Sequence, residues 1–230
     1  MKKAYCHLTQ IPLRAEARST AEMVTQLIYG ESYTILKKEG EWYLVETDFD
    51  SYQGWLSESS LYTGSMDHEK RIQNELMAIN PIEGKAVVTT MGSELFPAYL
   101  EGAEQEVSDI KDLAFRFLGV PYLWGGRTFA GIDCSGFTQI VFKCLGVPLA
   151  RDASQQQKQG KAVRTDEIQL GDLVFFEHNF KIAHVGIALG SSKIIHAHGE
   201  VRVDQLFSKG IVNSDTEALT HHFHSVRRVR

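Results

Sequence analysis

The chain has 230 residues, a net charge of −5 and 43% hydrophobic residues. This composition is typical of a globular protein with a packed core, and the length suits one domain of moderate size or two small ones. Charges of both signs are dispersed, and no basic stripe indicates nucleic acid or an anionic membrane. We therefore expect neither of these as a partner.

The cysteines and the N-terminus indicate where the protein works. The chain has three cysteines, Cys6, Cys134 and Cys144. A small, odd number of cysteines does not indicate a disulfide framework. Lys2 and Lys3 open the chain, but no apolar core of a secretory signal follows them. Free thiols suit a reducing compartment, so we expect a cytoplasmic protein. A mature form whose signal has been removed is the alternative.

Residues 1–63 have the pattern of a small all-β domain. Short apolar runs such as Met23 to Ile28 and Trp42 to Glu46 are separated by closely spaced polar turns, which is typical of a barrel or sandwich. Residues 64–108 are predicted to form a connector with some β structure. Within it, Asp67 to Ile79 is predicted as a helix and Lys85 to Thr90 as a strand.

From residue 109 the pattern changes to helices followed by strands. Apolar residues recur at helical spacing after Asp109, and a second helix is predicted from Cys134 to Leu145. Strands are predicted from Leu173 onwards. Helices followed by a run of strands indicate an α+β fold for residues 109–230.

Three residues of this second domain have the chemistry of a thiol hydrolase. Cys134 follows Asp133 at a predicted helix start, where the dipole and the free amides favour a thiolate. His184 and His196 lie on two predicted strands, so that one can act as general base and the other can orient it. Gly186 beside His184 is expected to leave open space for a substrate. The alternative for each residue alone is a buried packing role.

The second domain resembles the NlpC/P60 family of cell-wall cysteine peptidases, and the first resembles a bacterial SH3-like (SH3b) domain. The NlpC/P60 resemblance rests on Gly119–Gly126, Asp133–Phe137, Arg151–Gln156, Gly171–Phe176, His184–Ile187 and Ile195–Ala197. The SH3b resemblance rests on Leu13–Glu16, Gly40–Val45 and Gly54–Leu56. Together they imply a papain-like α+β catalytic domain preceded by a small all-β SH3b barrel.

The resemblance also implies roles for individual residues. Cys134 falls on the family's nucleophile, His184 on its base and His196 on its third polar residue. Tyr122 falls beside the oxyanion site, where its hydroxyl would donate to the developing negative oxygen together with the Cys134 amide. The alternative for Tyr122 is a wall residue of the cleft. No metal or organic cofactor is implied.

The resemblance further implies a substrate. NlpC/P60 enzymes mostly cut the bond from γ-D-glutamate to a diamino acid, and a subset with an SH3b domain takes free stem peptides with an unblocked N-terminal L-alanine. The chain looks like that subset, which would place it in murein peptide recycling as a monomer. Asp152 would hold the alanine ammonium, unless it caps the helix that begins near Ser154. The remaining expected substrate contacts are Ser154, Ser135, Trp124, Glu22, Tyr52 and Tyr62.

Three alternatives stay open. The first is a secreted or envelope hydrolase of intact peptidoglycan that uses the SH3b domain as a wall anchor. The second is a wall-binding module without activity. The third is a zinc site formed by His184, His196, His198 and Asp204, which metal titration would test.

Overall fold

The computed structural model describes residues 2–64, 70–82, 84–96 and 109–230. The chain divides into two units, of which the first contains Met1–Val107 and Trp124–Phe129 and the second contains Ser108–Leu123 and Ala130–Arg230. Both the predicted connector and the segment Trp124–Phe129, which the sequence placed in the second domain, therefore belong to the first unit. Within the described ranges, no helix is long and apolar enough to cross a bilayer.

The first unit is built around a six-stranded antiparallel sheet, in the order β1-β4-β5-β6-β2-β3. The strands are β1 (Lys2–Tyr5), β2 (Gln10–Arg14), β3 (Met23–Ile28), β4 (Ser32–Glu39), β5 (Trp42–Thr47) and β6 (Gln53–Ser57). Alternate residues point inward, as in β2, where Ile11 and Leu13 are buried and Pro12 is exposed. These side chains pack with Leu27, Tyr33 and Val45 into one core. The all-β barrel predicted from the sequence is confirmed.

Two short pairs of strands also belong to the described part of this unit. They are formed by β7 (Arg71–Ile72) with β10 (Glu94–Leu95), and by β8 (Met77–Ile82) with β9 (Lys85–Thr90). The strand predicted over Lys85 to Thr90 is confirmed. The helix predicted over Asp67 to Ile79 is wrong where it is described, because residues 77–82 pair with β9 and residues 67–69 lie outside the described ranges.

The segment Trp124–Phe129 is fixed within the first unit by a buried ion pair. Its residues Arg127–Thr128 form strand β11. The Arg127 guanidinium donates to both carboxylate oxygens of Glu31, at 2.8 and 2.9 Å, and to the Gln26 carbonyl at 2.7 Å. Both charged side chains are at most 3% exposed. Removing either partner would leave the other charge buried and uncompensated.

The second unit combines helices with a large antiparallel sheet. The helices are α1 (Ile110–Phe115), α2 (Cys134–Cys144) and α3 (Ala153–Gln156). The strands are β12 (Gly131–Ile132), β13 (Lys161–Val163), β14 (Leu173–His178), β15 (Lys181–Ala188), β16 (Lys193–His198), β17 (Glu200–Phe207), β18 (Gly210–Val212) and β19 (Leu219–Arg228). Seven of them form a sheet in the order β13-β19-β14-β15-β16-β17-β18, with β18 also pairing with β19. The predicted α+β class is confirmed.

Helix α2 is the central element of this unit. Its N-cap is Asp133, whose side chain accepts a hydrogen bond from the Gly136 amide at 2.7 Å. Every residue from Cys134 to Lys143 is buried, and the helix packs against β15 and β16. The helix that carries the predicted nucleophile is thus part of the core.

Candidate active site

Cys134 is the first residue of α2, and its side chain is only slightly exposed. The sulfur is within hydrogen-bonding reach of the backbone of Val185 and of Ser135. Since Val185 follows His184 on β15, the structure brings the predicted nucleophile next to the strand that carries the predicted base. Burial and the neighbouring Asp133 carboxylate raise the pKa of the Cys134 thiol to about 12, so the thiol is protonated at rest.

A chain of hydrogen bonds runs from His184 to a buried carboxylate. His184 Nε2 lies 2.8 Å from His196 Nδ1, and His196 Nε2 lies 3.1 Å from Asp204 Oδ2. All three side chains are buried. We call His184, His196 and Asp204 the strand-side relay, because they lie on β15, β16 and β17.

The carboxylate fixes where the protons of the relay reside. Burial alone would raise the pKa of Asp204, but hydrogen bonds from His196, Ser214 and Arg202 hold it well below its usual range. Asp204 is therefore ionised and accepts the Nε2 proton of His196. A neutral His196 then accepts at Nδ1 from His184 Nε2, which leaves the lone pair of His184 on Nδ1.

Both imidazoles are neutral at rest. Burial, together with the neighbouring His196, His221 and His198, lowers the pKa of His184 well below its usual value. Burial also lowers the pKa of His196, although the hydrogen bond to Asp204 opposes the shift. A neutral His184 with its lone pair on Nδ1 has the form that a general base requires.

Gly186 allows close strand packing and does not leave the open space that was predicted. The sequence led us to expect open space for a substrate beside His184. A Cβ at Gly186 would instead meet the His196 Cβ at 2.8 Å and Ile194 Cδ1 at 2.8 Å. The missing side chain therefore makes room for the close approach of β16, which carries His196.

The relay ends in a further ion pair at the surface. Arg202 donates to both oxygens of Asp204 at 3.0 Å and to Asp215 at 2.6 Å. The Ser214 amide also donates to Asp204, at 2.9 Å. The sequence had suggested Asp204 only as a zinc ligand, since the hydrogen bond to His196 depends on how β16 pairs with β17.

On the helix side, the nucleophile is held by a buried ion pair. Arg151 is 1% exposed and binds both oxygens of Asp133, at 3.0 and 2.5 Å. It also donates to the Ser135 hydroxyl at 2.9 Å, and that hydroxyl lies 3.3 Å from Asp133 Oδ1. Asp133, Ser135 and Arg151 form what we call the helix-side clamp. Ser135, a predicted substrate contact, is engaged inside this clamp.

Tyr122 is an electrostatic neighbour of Cys134 and Asp133. Burial, followed by the neighbouring Cys134 and Asp133, raises the pKa of the Tyr122 phenol above its usual range. The phenol is therefore a hydrogen-bond donor at neutral pH. This is the property expected of a residue beside an oxyanion site.

Asp152 and Ser154 lie at the start of α3. Asp152 is the N-cap residue and forms a capping box with Gln155, in which the Asp152 amide donates to Gln155 Oε1 at 3.2 Å. The alternative of a helix cap is therefore observed for Asp152. Ser154 is exposed on the same short helix.

The other four predicted substrate contacts belong to the first unit. Trp124 Nε1 donates to Glu22 Oε1 at 2.6 Å, and both side chains are exposed, so the structure brings these two together. Tyr62 packs instead against Tyr5 and His7, with ring centroids 5.1 and 4.9 Å apart. Tyr52 is half-buried in the turn between β5 and β6.

Comparison with known proteins agrees with these features. Residues 119–222 match the NlpC/P60 family model, and residues 13–61 match the model described as a bacterial dipeptidyl-peptidase Sh3 domain. The chain is 31% identical over 211 residues to a gamma-D-glutamyl-L-lysine dipeptidyl-peptidase of Bacillus subtilis, covering 75% of the chain and 71% of the relative. A Bacillus cereus protein of the same name is 25% identical over 224 residues, covering 76% of the chain and 67% of the relative.

A solved structure supports the fold. The crystal structure of an NlpC/P60 family protein from Bacillus cereus superposes with a TM-score of 0.81 at 21% identity, covering 99% of each chain. This similarity extends over both the β-barrel and the unit that contains Cys134. The fold, the two matched family models and the identity to the Bacillus subtilis relative place the chain in the NlpC/P60 family of cysteine peptidases.

Proposed function

We propose that the protein hydrolyses the bond between γ-D-glutamate and a diamino acid in free peptidoglycan stem peptides. The observation that carries this proposal is the strand-side relay. It ends in a neutral His184, and the next residue on the same strand, Val185, has its backbone at the Cys134 thiol. The substrate follows from the names of the two Bacillus relatives, which are gamma-D-glutamyl-L-lysine dipeptidyl-peptidases. The N-terminal match to a dipeptidyl-peptidase domain supports the same substrate.

In the proposed mechanism, His184 Nδ1 takes the thiol proton as Cys134 attacks the γ-glutamyl carbonyl. The Nε2–H of the resulting imidazolium keeps its hydrogen bond to His196. The Tyr122 hydroxyl and the Cys134 amide stabilise the negative oxygen of the tetrahedral intermediate. His184 then protonates the leaving amine of the diamino acid, and water releases L-Ala-D-Glu from the acyl-enzyme.

The proposed substrate has a free N-terminal amine, because a dipeptidyl-peptidase removes a dipeptide from an unblocked end. Two carboxylates were predicted to bind this ammonium. Asp152 takes part in the capping box of α3, whereas Glu22 is exposed and bound to the Trp124 indole. We assign the ammonium to Asp152, which lies in the same unit as Cys134, because a carboxylate that caps a helix can also accept a charge-assisted hydrogen bond.

We also propose that the enzyme is a cytoplasmic monomer that acts in the recycling of wall peptides. Its three cysteines are all free thiols, which is the usual state of cysteines in a reducing compartment. Peptides with a free N-terminal alanine are products of wall breakdown, so the proposed specificity fits this place. The competing function is hydrolysis of intact peptidoglycan, in which the alanine is amide-linked.

The test compares L-Ala-γ-D-Glu-meso-diaminopimelate, its lysine counterpart and the N-acetylated form of each. We expect cleavage of the free-amine peptides alone, with no turnover by Cys134→Ala. Asp152→Asn, which keeps a good N-cap, should lower kcat/KM for the free peptides by about 10- to 100-fold, the value of a hydrogen bond to a charged group. Asp166→Asn, which removes an exposed carboxylate of the second unit, should have no effect.

Equal cleavage of the free and acetylated peptides would contradict the free-amine assignment and favour a hydrolase of intact wall. An Asp152→Asn variant with normal kcat/KM and intact free-amine selectivity would contradict the role of Asp152 only. Cleavage by Cys134→Ala at the rate of the unchanged protein would overturn the mechanism itself.

A further inference from the structure

Three histidines converge at the relay. Two of them belong to it, and the third has no part in the proposed mechanism. They are His184 on β15, His196 on β16 and His221 on β19. One ring nitrogen from each lies within 4.8 Å of those from the other two. The His221 ring stacks on His184, with centroids 4.1 Å apart and an interplanar angle of 26°. His196 and His184 are buried, and His221 is half-buried.

We propose that His184, His196 and His221 form a binding site for a transition-metal ion of the Zn²⁺ type, and that the bound ion inhibits the peptidase. Imidazole nitrogen is a preferred ligand of Zn²⁺, and three protein ligands with one open position are a common arrangement for this ion. The fourth position would be taken by water. The ion is a reversible inhibitor in this proposal and takes no part in the peptidase reaction.

The separations of the nitrogens suit such an ion after small side-chain movements. Zn–N bonds of about 2.0–2.1 Å place the nitrogens of a tetrahedral site roughly 3.4 Å apart. The upper limit of 4.8 Å requires a closure of about 1.4 Å at the widest pair, and the 2.8 Å between His184 Nε2 and His196 Nδ1 has to open by about 0.6 Å. The His221 ring also has to rotate out of its stack on His184, because the lone pair of an imidazole nitrogen lies in the plane of the ring. This site differs from the zinc set predicted from the sequence, because His221 takes the place of His198 and Asp204.

The hydrogen bonds outside the cluster orient the rings as metal-ligand histidines are usually oriented. His196 is bonded through Nε2 to Asp204 at 3.1 Å, which leaves Nδ1 as its ligand atom. His221 is bonded through Nδ1 to the Thr220 hydroxyl at 2.9 Å, which leaves Nε2. A carboxylate or hydroxyl on the second ring nitrogen fixes the orientation and the tautomer of a ligating histidine.

The geometry also explains how the ion would inhibit. His184 Nε2 and His196 Nδ1 share one proton across 2.8 Å. An ion bound to both nitrogens replaces that proton, which moves to Nδ1 of His184 so that the ring remains neutral. Nδ1 then has no lone pair to accept the thiol proton of Cys134. Inhibition in this form rests on the proposed function, whereas binding of the ion does not.

The binding test uses Co²⁺ as a spectroscopic probe on the 230-residue chain with Cys134→Ala, so that no thiol at the site can supply a ligand. We expect one equivalent of Co²⁺ to give the intense visible bands of a four-coordinate site, and Zn²⁺ to displace it. His221→Asn should weaken binding at least about 10-fold. His222→Asn is the matched control, because it removes the exposed neighbouring histidine of the same strand.

A second variant guards against a folding defect in His221→Asn. Thr220→Val keeps all three imidazoles and removes only the hydroxyl that orients His221. It should weaken Co²⁺ binding by roughly 10-fold, as the loss of an outer partner does. Absence of the bands, or equal Co²⁺ affinity in His221→Asn and His222→Asn, would overturn the site.

The inhibition test uses the protein with Cys134 intact and measures the Zn²⁺ concentration that halves the rate of peptide hydrolysis. The reference for each variant is its own rate in EDTA. We expect His221→Asn to need at least about 10-fold more Zn²⁺, and His222→Asn to need the same amount as the unchanged protein. Co²⁺ binding without any effect of Zn²⁺ on hydrolysis would overturn the inhibition and leave the site. A chain that binds Co²⁺ yet cleaves no peptide would contradict the proposed function alone.

Discussion

The helix-side clamp and the strand-side relay flank the same thiol, and both are buried, but they differ in their charges. The clamp pairs two full charges, Arg151 and Asp133, at 2.5 and 3.0 Å. The relay joins two neutral imidazoles and places its single carboxylate at the far end. A guanidinium does not give up its proton, whereas an imidazole does so readily. The clamp is therefore suited to holding position, and the relay to moving a proton.

The clamp should decide stability. Arg151→Met would leave the Asp133 carboxylate buried without its counter-charge, and we expect a loss of about 3–5 kcal/mol in the free energy of unfolding. Urea denaturation followed by circular dichroism measures this loss. Asp133→Asn combined with Arg151→Met should recover much of it, because no unpaired charge remains and Asn is also a good N-cap. A loss below about 1 kcal/mol would show that the ion pair does not hold the helix.

The relay should decide turnover. In Asp204→Asn, the amide oxygen is expected at the Oδ1 position, which receives donors from both Arg202 and Ser214. The amide nitrogen then faces His196 and reverses the protons of the relay, so that His184 no longer has a lone pair on Nδ1. We expect kcat to fall about 100-fold with KM nearly unchanged. Steady-state kinetics that show kcat within about threefold of the unchanged protein would contradict this role.

Gly186→Ala should affect stability and turnover together. The added methyl group would meet His196 and Ile194 at 2.8 Å, so β16 has to move. We expect a loss of about 2 kcal/mol, as in other overpacked cores, and a decrease of about tenfold in kcat because His196 is displaced. Ala183→Ser on the exposed side of β15 is the control. Unchanged kcat in Gly186→Ala would mean that the relay tolerates this displacement.

The smallest effect is expected at the surface end of the relay. Asp215 bonds to Arg202 at 2.6 Å, but its side chain is 74% exposed. Asp215→Asn should change the free energy of unfolding by less than about 1 kcal/mol, since exposed ion pairs contribute little. Its kcat should stay within about twofold of the unchanged protein. A larger fall in kcat would extend the relay to the surface and weaken the distinction between the two sides of Cys134.

The sequence was sufficient for those parts of the site that local motifs carry. Cys134 follows its N-cap Asp133 directly, and His184 and His196 lie on strands of mostly small and apolar residues. Their roles nevertheless remain predictions until activity is measured. Asp204 and His221 could not be found in this way, because their contacts with His196 and His184 depend on strand order. β17 pairs with β16, and β19 lies between β14 and β13.

Local patterns were ambiguous at two other places. Residues 77–79 fit the end of a helix, but they pair with β9, and Asn80 donates to Thr89 across the hairpin at 2.6 Å. Asp152 was consistent both with a helix cap and with an ammonium ligand, and a charged residue before a short helix does not distinguish these roles. Pairing between distant segments decided the first case. The capping box is observed for Asp152, and its ammonium role stays a prediction.

The ion pair between Arg127 and Glu31 has a consequence for synthesis on the ribosome. The two residues are 96 positions apart, so Glu31 is translated long before its counter-charge. At about 5–20 residues per second, the interval is about 5–20 s. Until Arg127 is translated, the nascent barrel carries the Glu31 carboxylate without its counter-charge. Because burying an unpaired charge is costly, this favours an open form of the barrel in which Glu31 stays hydrated. Completion of the N-terminal domain thus has to wait for a short segment encoded within the peptidase sequence.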